Sequence, residues 1–358
     1  MTDSFATWKA RTDERIAATL RATSDAVRPA GPSHVDLTAP LISHSRGGKR
    51  LRALLLLSSY VAHGGDDDDV AIEAAAALEL FQTAALLHDD VLDDSDMRRG
   101  KPAAHRVIAG IHRNHGWSGD SDSYGAAGGI LAGDLALMAC QRSLVRATSR
   151  LTPGTASTVG ELFSDMADLV TAGQYADMRA AAQPLDALAD QEQEIVSVMR
   201  SKTASYTAEH PLGLGAALAG ASAERVATMR DAGVELGIAF QVRDDLLGLT
   251  GSPAVTGKPA GDDVREGKRT LVLWRAWTTT DDHGRARIAR ALGNRTASDH
   301  DVADAVATIT STDAVAWCEA QVAERAAAAR SGLASADLDA RGAGLINALI
   351  DRAVARSA

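Results

Sequence analysis

The chain has 358 residues, 46% of them hydrophobic and 23% charged, with a formal net charge of −10 at pH 7. A negative charge of this size argues against non-specific nucleic-acid binding, which depends on basic surfaces that displace counterions. No apolar run reaches the roughly 20 residues that a transmembrane helix needs, and the charged N-terminus lacks the apolar core of a signal peptide. The two distant cysteines, Cys140 and Cys318, form no disulfide framework. We therefore expect a cytoplasmic protein in a reducing compartment.

Apolar residues recur at helical spacing along most of the chain, and no segment keeps the period of two that marks a half-buried strand. Abundant alanine also favours helix over strand. We predict one all-α domain over residues 31–358, preceded by a mobile N-terminal arm or helix over residues 1–30. The predicted helices are 6–22, 49–63, 70–94, 128–149, 155–181, 188–210, 212–219, 223–250, 264–279, 285–292, 301–308, 312–330 and 340–356.

The first stretch with chemical character is SRGGKRLR, where glycines mark the start of the predicted helix 49–63. Backbone N–H groups at a helix start favour anions. The stretch also concentrates positive charge in the side chains of Arg46, Lys49, Arg50 and Arg52. It predicts an anion-binding loop, although each residue taken alone is more readily explained as part of a solvated surface.

The predicted helix 70–94 ends in the acidic sequence HDDVLDD. Asp89 and Asp93 are four residues apart, so they share one helix face about 6 Å apart, and Asp90 lies beside them. Converging carboxylates repel one another unless cations bind. Magnesium takes oxygen ligands and is often held by one or two carboxylates plus substrate phosphates. The motif predicts a metal–diphosphate site; taken alone, a solvated helix end explains it equally well.

A second acidic pair, Asp244 and Asp245, ends the predicted helix 223–250 in the sequence FQVRDDLLG. Two such helices facing each other across a cavity would hold metal ions between them and bind one diphosphate. Basic residues follow both acidic stretches, and a further pair lies in RSKTAS; they are Arg98, Arg99, Lys101, Lys202, Lys258, Lys268 and Arg269. Together with the basic loop, they exceed what one diphosphate requires and predict two diphosphate sites.

These motifs and their order resemble the trans-isoprenyl diphosphate synthases, or polyprenyl synthetases. The resemblance runs from GGKRLR through LLHDDVLDDSDMRRGKP, LAGDLAL, SKTAS and FQVRDDLLG to TGKPAGDDVREGKRTL. It implies an all-α bundle around a deep central cavity, usually as a homodimer. It also implies condensation of isopentenyl diphosphate with an allylic diphosphate (dimethylallyl, geranyl or farnesyl): the allylic C–O bond ionises, the isopentenyl double bond attacks the cation, and a proton is lost.

The resemblance also assigns roles to residues. Three magnesium ions are implied, with Asp89, Asp90, Asp93, Asp244 and Asp245 as their ligands. Isopentenyl diphosphate is implied to contact Lys49, Arg52, Arg99 and Gln82. The allylic diphosphate is implied to contact Arg98, Lys202 and Lys258, with Thr203 and Gln241 near the developing cation.

Two positions depart from the family pattern. The second acidic motif is often DDxxD in the family, but here Gly248 stands where the third acid would be. Glycine removes one metal or outer-sphere contact, yet two acids remain, so we expect activity. Gln82 stands where many relatives carry histidine; glutamine still donates a hydrogen bond to phosphate.

Residues just before the first motif are expected to point into the cavity and to set its depth. Ala84 and Ala85, five and four residues before Asp89, are small, and Phe81 lies about 12 Å down the helix. Phe81 is therefore predicted to form the floor. This pattern predicts a twenty-carbon geranylgeranyl product, with twenty-five carbons as the next choice.

Two other functions use related chemistry. A class I terpene cyclase also carries an aspartate-rich motif and binds magnesium, but it needs only one diphosphate site. A non-catalytic partner subunit of a prenyl synthase would explain Gly248. The intact acids of the first motif and Lys202 weigh against that alternative.

Overall fold

The computed structural model describes residues 2–251 and 261–355. Within these ranges the chain is almost entirely helical, with one two-stranded antiparallel ribbon, β1 Met97–Arg98 and β2 Lys101–Pro102. A π-helical segment, Met199–Glu209, joins α8 to α9. The α-helices are α1 Thr2–Val27, α2 His34–Ser45, α3 Leu51–Ala62, α4 Asp68–Leu92, α5 Ala104–His115, α6 Ser121–Thr148, α7 Pro153–Ala182, α8 Glu192–Val198, α9 His210–Leu218, α10 Ala223–Thr250, α11 Asp262–Glu266, α12 Leu271–Thr279, α13 Asp282–Ala291, α14 Asp299–Thr310, α15 Ala314–Ala334 and α16 Ala340–Val354.

The predicted all-α fold is confirmed, with differences in detail. Helices α2 and α5 and the β1–β2 ribbon were not predicted. Pro40 lies inside α2, where proline normally argues against helix. The predicted helix 264–279 is divided into α11 and α12 because Gly267, between them, has a φ of +77°.

The N-terminal residues form a packed helix rather than a projecting arm. Helix α1 buries Phe5, Trp8, Ile16 and Leu20 in the core. Its outer side is held to the start of α4, where the Arg11 guanidinium lies 2.8 Å from a carboxylate oxygen of Asp68. This part of the chain therefore supports the central helix α4.

Helix α4 is central to the fold and packs along α6. The approach is close because α6 presents glycines: a Cβ at Gly133 would lie 2.1 Å from Nε2 of His88, and one at Gly129 would lie 2.7 Å from Val91. His88 Nε2 is also 3.0 Å from the Ile130 carbonyl oxygen. These contacts fix the end of α4 that carries the first acidic motif.

Helix α10 carries the second acidic motif and packs against the π-helical segment. A Cβ at Gly237 would lie 2.5 Å from Ala204, and one at Gly233 would lie 2.5 Å from the Cα of Glu209. The two elements therefore approach at backbone distance, which places both around the same cavity.

In the described part of the chain, α4 and α6 are long and apolar enough to cross a membrane. For α4, 83% of its most apolar 18-residue stretch is buried inside the molecule, as expected for a core helix. For α6 the buried share is 39%, because one side of this helix faces outward.

Candidate active site

A cavity of about 670 Å³ lies between the ends of α4 and α10. The loop before α3, the β1–β2 ribbon, α7, the π-helical segment and α11 complete its wall. Its lining is rich in carboxylates and cations, among them Asp89, Asp177, Asp244, Asp245, Asp262, Asp263, Lys49, Arg52, Arg98, Arg99, Lys202, Lys268 and Arg269. Most of the predicted site residues are thus brought together in one place.

The first acidic motif places its carboxylates in different surroundings. Asp89 lines the main cavity, with Oδ2 3.5 Å from Arg98 and Oδ1 3.6 Å from Lys202 Nζ. Asp90 is only 1% exposed and lines a neighbouring cavity of about 330 Å³. Its Oδ1 accepts a hydrogen bond of 2.7 Å from Arg98 Nε. Asp90 therefore holds Arg98 in place more directly than it faces the main cavity.

Asp93 lies one turn after Asp89, in surroundings that disfavour the charged form of its carboxyl group. Burial, and then the nearby carboxylate of Asp89, raise its pKa to about 6. Asp93 Oδ2 and Asp90 Oδ2 are buried and make no hydrogen bond with any part of the chain that the structure describes. A cation bound between the carboxylates would offset their repulsion and would give the buried oxygens a partner.

The second acidic motif is buried more deeply at Asp245 than at Asp244. Gln241 Nε2 donates a 2.6 Å hydrogen bond to Asp245 Oδ1, while Asp244 is exposed to the cavity. Burial, and then the charge of Asp263, raise the pKa of Asp245 well above its ordinary value. Gln241, predicted to lie near the reacting carbon, therefore also orients a carboxylate.

Lys268 connects the two acidic ends. Its Nζ lies 3.7 Å from Asp93 Oδ2 on α4, 3.2 Å from Asp263 Oδ1 on α11 and 2.5 Å from Glu266. Burial alone would lower the pKa of Lys268, but the surrounding carboxylates, Asp263 first, outweigh it and raise the pKa well above the ordinary value. A single ammonium thus lies close to carboxylates at the end of α4 and on the short helix α11.

The π-helical segment carries Lys202 and Thr203 into the cavity. Lys202 Nζ donates a 2.5 Å hydrogen bond to Asp177 on α7. Burial would lower the pKa of Lys202, but Asp89 and Asp177 reverse this and raise it. Asp177 was missed in the sequence because no spacing pattern links it to the acidic motifs. A π-helical turn is rare and often marks a functional site, because it redirects side chains that a regular helix would turn away.

A second group of cations lies on the α3 side of the cavity. Arg52 is 7% exposed; its guanidinium donates a 2.8 Å hydrogen bond to Thr207 and lies 4.0 Å from the centre of the Tyr206 ring. Lys49 and Arg99 are exposed around it, and all four predicted isopentenyl-site residues, Lys49, Arg52, Gln82 and Arg99, line the same cavity.

Arg50 belongs to the same loop but has a structural task. It is 5% exposed, and its guanidinium contacts Asp13 on α1 at 2.7 Å, Glu79 on α4 at 3.1 Å and the Ser45 carbonyl oxygen at 2.7 Å. Glu79 also accepts a 3.2 Å hydrogen bond from the Ala53 N–H. Arg50 lines the main cavity, but its guanidinium already has two carboxylate partners, and its role in anion binding stays a prediction. Its charge is neutralised inside the fold, where it shapes the loop.

The predicted chain-length residues lie beside the main cavity. Among the described residues that line it, α4 contributes Glu79, Gln82, Leu86 and Asp89. Phe81, Ala84 and Ala85 are not among the lining residues; Phe81 and Ala84 are buried, and Ala85 is partly buried. At about 100° per residue, Ala84 lies roughly 140° around the helix from Asp89.

Phe81 nevertheless reaches the wall through its neighbours. Its ring packs edge-on against Tyr206, which lines the cavity, and against Phe163, both at 6.1 Å between ring centres. The floor assignment remains a prediction. Lys258, predicted to bind the allylic diphosphate, lies outside the described residues.

The donor set fits a divalent oxygen-loving cation. In residues 2–251 and 261–355, no three carboxylate, imidazole or thiol groups already form a metal cage. Lys202 and Lys268 instead lie between the carboxylates. Magnesium sites of this kind need only one or two carboxylates from the protein, because substrate phosphates and water supply the other ligands. The carboxylates of Asp89 and Asp244, which line the cavity, meet that requirement, and Asp93 Oδ2 is a further buried oxygen that accepts no hydrogen bond from the described residues.

Comparison with known proteins agrees with this geometry. The sequence profile described as polyprenyl synthetase matches residues 36–309. The chain is 34% identical to geranylgeranyl diphosphate synthase of Sulfolobus acidocaldarius, over 70% of each chain. It is 33% identical to geranylfarnesyl diphosphate synthase of Aeropyrum pernix, over 87% of this chain and 91% of that one.

A solved structure is similar over nearly the whole chain. Geranylgeranyl pyrophosphate synthase from Corynebacterium glutamicum, solved with isoprenyl diphosphate and magnesium, superimposes with a TM-score of 0.91. It shares 33% identity and covers 99% of both chains. The family to which these proteins belong uses divalent metal ions for catalysis. The chain belongs to the polyprenyl synthetase family of trans-prenyltransferases.

Proposed function

We propose that the protein condenses isopentenyl diphosphate with an allylic diphosphate, head to tail, in a magnesium-dependent reaction that yields geranylgeranyl diphosphate. The observation that carries this proposal is that two groups of cations line one cavity, enough for two diphosphates. Lys202 and Lys268, beside the acidic ends, form the first, and the cations around Arg52 form the second. A cyclase would need only the first.

Asp89, Asp93 and Asp244, with Asp245 behind them, would hold magnesium, and three ions would suit the acids and one diphosphate. When bound, magnesium draws electron density from the allylic diphosphate and favours cleavage of its C–O bond. Asp90 would act mainly by orienting Arg98, which it contacts directly.

Protein cations would share the charge of the allylic diphosphate. Lys202 and Arg98 lie within 3.6 Å of Asp89, so both would be in reach of a diphosphate held beside this acid. Lys202 stays protonated because Asp89 and Asp177 outweigh its burial and raise its pKa. We add Lys258 from the sequence alone.

Isopentenyl diphosphate would bind among Lys49, Arg52, Arg99 and Gln82. Arg52 is fixed by Thr207 and by the Tyr206 ring, so its guanidinium is pre-organised for a bidentate contact with phosphate. The substrate's double bond would then point toward the allylic carbon.

Thr203 and Gln241 line the same cavity and are the polar groups that we place near the developing cation. Apolar neighbours such as Leu86, Val198 and Phe240 line the same wall and exclude water, which would quench the cation. The departing diphosphate is the base that we propose for the final proton loss.

Product length is proposed from the aromatic layer of Phe81 and Tyr206 behind the cavity. Relatives named geranylgeranyl and geranylfarnesyl diphosphate synthase make products of this size. Movement of Tyr206 would expose Phe81 as the floor. Phe81→Ala should then shift the product from twenty to twenty-five carbons or more.

A homodimer is the assembly that we propose. Helix α6 exposes Tyr124, Leu131, Met138 and Val145, spaced by seven residues, with 41 to 56% exposure each. A heptad stripe of this kind suits a second copy of the same helix. Sedimentation should report a dimer, and Leu131→Glu with Met138→Glu should yield a monomer. The matched control is Val107→Glu, which changes an exposed valine on α5.

We further propose that the protein acts in the cytoplasm, in keeping with its buried free cysteines.

The proposal is tested by incubating purified protein with magnesium, isopentenyl diphosphate and each of three allylic primers, and sizing the products by chromatography. We expect geranylgeranyl diphosphate from each primer and no product in excess EDTA. A hydrocarbon released from geranylgeranyl diphosphate alone would identify a cyclase. No turnover in any mixture, with tight binding to another synthase subunit, would identify a partner subunit.

A further inference from the structure

Gly248 faces the carboxylate of a residue from another helix. A Cβ built on Gly248 would lie 2.3 Å from Oδ2 of Asp263 and 3.3 Å from its Cγ. Any larger residue at 248 would push this carboxylate aside, because real Cβ atoms do not approach oxygen so closely. The Asp263 carboxylate therefore occupies the space that a side chain at position 248 would need.

The segment that carries Asp263 is fixed against the end of α10. The Gly261 N–H donates a 3.1 Å hydrogen bond to the Gly248 carbonyl oxygen, and the Lys268 N–H donates one of 3.1 Å to the Asp263 carbonyl oxygen. The first contact holds the start of α11 beside the end of α10, and the second closes the turn that follows α11. The position of Asp263 is thus set by the fold and not only by its own side chain.

The Asp263 carboxylate also faces the same charges as the second motif. It lines the main cavity with Asp244 and Asp245. Its Oδ1 lies 3.2 Å from Lys268 Nζ, the ammonium that also reaches Asp93 on the first motif. Asp263 is thus part of the carboxylate group that faces α4.

We propose that Asp263 supplies, from α11, the third carboxylate that the second acidic motif lacks at Gly248. The motif is then completed in space by Asp244, Asp245 and Asp263. Glycine at 248 is required for this arrangement because it leaves the room. The inference rests on the proposed metal–diphosphate function and adds one residue to the set that holds the ions.

The proposal predicts that the third carboxylate can be supplied from either position 248 or position 263. Asp263→Asn removes the charge, and Gly248→Ala displaces the carboxylate with one methyl group, so each should weaken ion binding about tenfold. The double change should be no worse than Asp263→Asn, because both act on one group. Gly248→Asp with Asp263→Ala returns the acid to 248 and should recover affinity to within about threefold of the parent.

The test is the binding of Mn²⁺, followed by the electron paramagnetic resonance of the free ion, with a fixed excess of the thiodiphosphate analogue of farnesyl diphosphate. Melting temperatures without metal check that each variant is folded. Asp262→Asn is the matched control, since it loses the same charge one residue away and should weaken binding less. Asp89→Asn tests the proposed function separately.

The outcomes separate the two claims. If Asp89→Asn weakens Mn²⁺ binding while Asp263→Asn binds like the parent, or if Asp262→Asn loses as much as Asp263→Asn, the role of Asp263 is overturned and the proposed function stands. If the paired exchange fails to recover affinity in a folded protein, the role of Asp263 is likewise overturned. If Asp89→Asn binds like the parent, the proposed metal site itself fails.

Discussion

The two acidic ends of the cavity are built differently. At the end of α4, Asp89, Asp90 and Asp93 lie within about one helix turn; Arg98 contacts the first two, and Lys268 lies 3.7 Å from the third. At the end of α10, only Asp244 and Asp245 come from the helix, and a further carboxylate, that of Asp263, lies beside Gly248 on a separate short helix. A contiguous motif is visible in the sequence, whereas a motif assembled from two elements is visible only in the fold.

The two ends also differ in the groups that surround their carboxylates. The first end has arginine and lysine contacts, whereas Asp245 at the second end is buried and accepts a hydrogen bond from Gln241. Lys268 serves both ends at once. The two regions therefore depend on one another in the absence of metal, and variants should expose that dependence.

The largest expected effect on stability is that of Lys268→Met. This change leaves the carboxylates of Asp93, Asp263 and Glu266 close together without their shared cation, so the free energy of unfolding without metal should fall by about 3 kcal/mol. Added magnesium should restore part of this loss. Denaturant unfolding with and without magnesium measures both effects, and Lys101→Met, an exposed lysine, is the control. Equal unfolding curves for Lys268→Met and the parent would contradict the bridge between the ends.

The next effect separates positioning from metal binding within the first motif. Asp90→Asn should lower kcat/KM for the allylic substrate roughly a hundredfold, because Arg98 loses the carboxylate that orients it. The magnesium concentration that gives half-maximal rate should change much less than in Asp89→Asn. Steady-state kinetics at varied magnesium distinguish the two. A magnesium requirement raised equally in both variants would place Asp90 among the direct ligands.

A smaller effect follows from Asp93. Its pKa is about 6 in the folded protein and near 3.8 without its surroundings, so the folded state holds the proton more tightly. Stability without metal therefore falls as pH rises from about 4 to 6, and the full penalty is present at pH 7.5. Asp93→Asn should stabilise the metal-free protein by about 2 kcal/mol at pH 7.5 and by nearly nothing at pH 4. Thermal melting at both pH values checks this, and a gain at pH 4 as large as at pH 7.5 would show that charge is not the cause.

The sequence was sufficient for the fold class, for the position of the first motif and for most residues that line the cavity. These features follow from local rules: helical periodicity, a spacing of four residues, and runs of like charge. The residues that were missed, Asp177, Asp263 and Glu79, act through partners far along the chain. Their roles depend on which helices pack together, and local patterns in one sequence do not reveal that packing.

Local reasoning also missed the structural partners of one residue. Arg50 stands among cations in GGKRLR, yet its neighbour in space is the buried carboxylate of Glu79. The signal was present as an acid within the apolar helix α4, but an acid and a base 29 residues apart show no pattern until the helices are packed. The chain-length residues illustrate the same limit, since rotation of α4 decides which side chains face the cavity.

The central claim is that both acidic ends are needed to hold the ions that ionise the allylic diphosphate. The most direct measurement compares the condensation rates of Asp89→Ala, Asp244→Ala and the parent at saturating magnesium, and of the parent in excess EDTA. We expect each variant to lose about a thousandfold in rate and the parent to stop without free divalent ions. A variant that elongates prenyl chains as fast as the parent, or a parent that works unchanged in EDTA, would contradict the account.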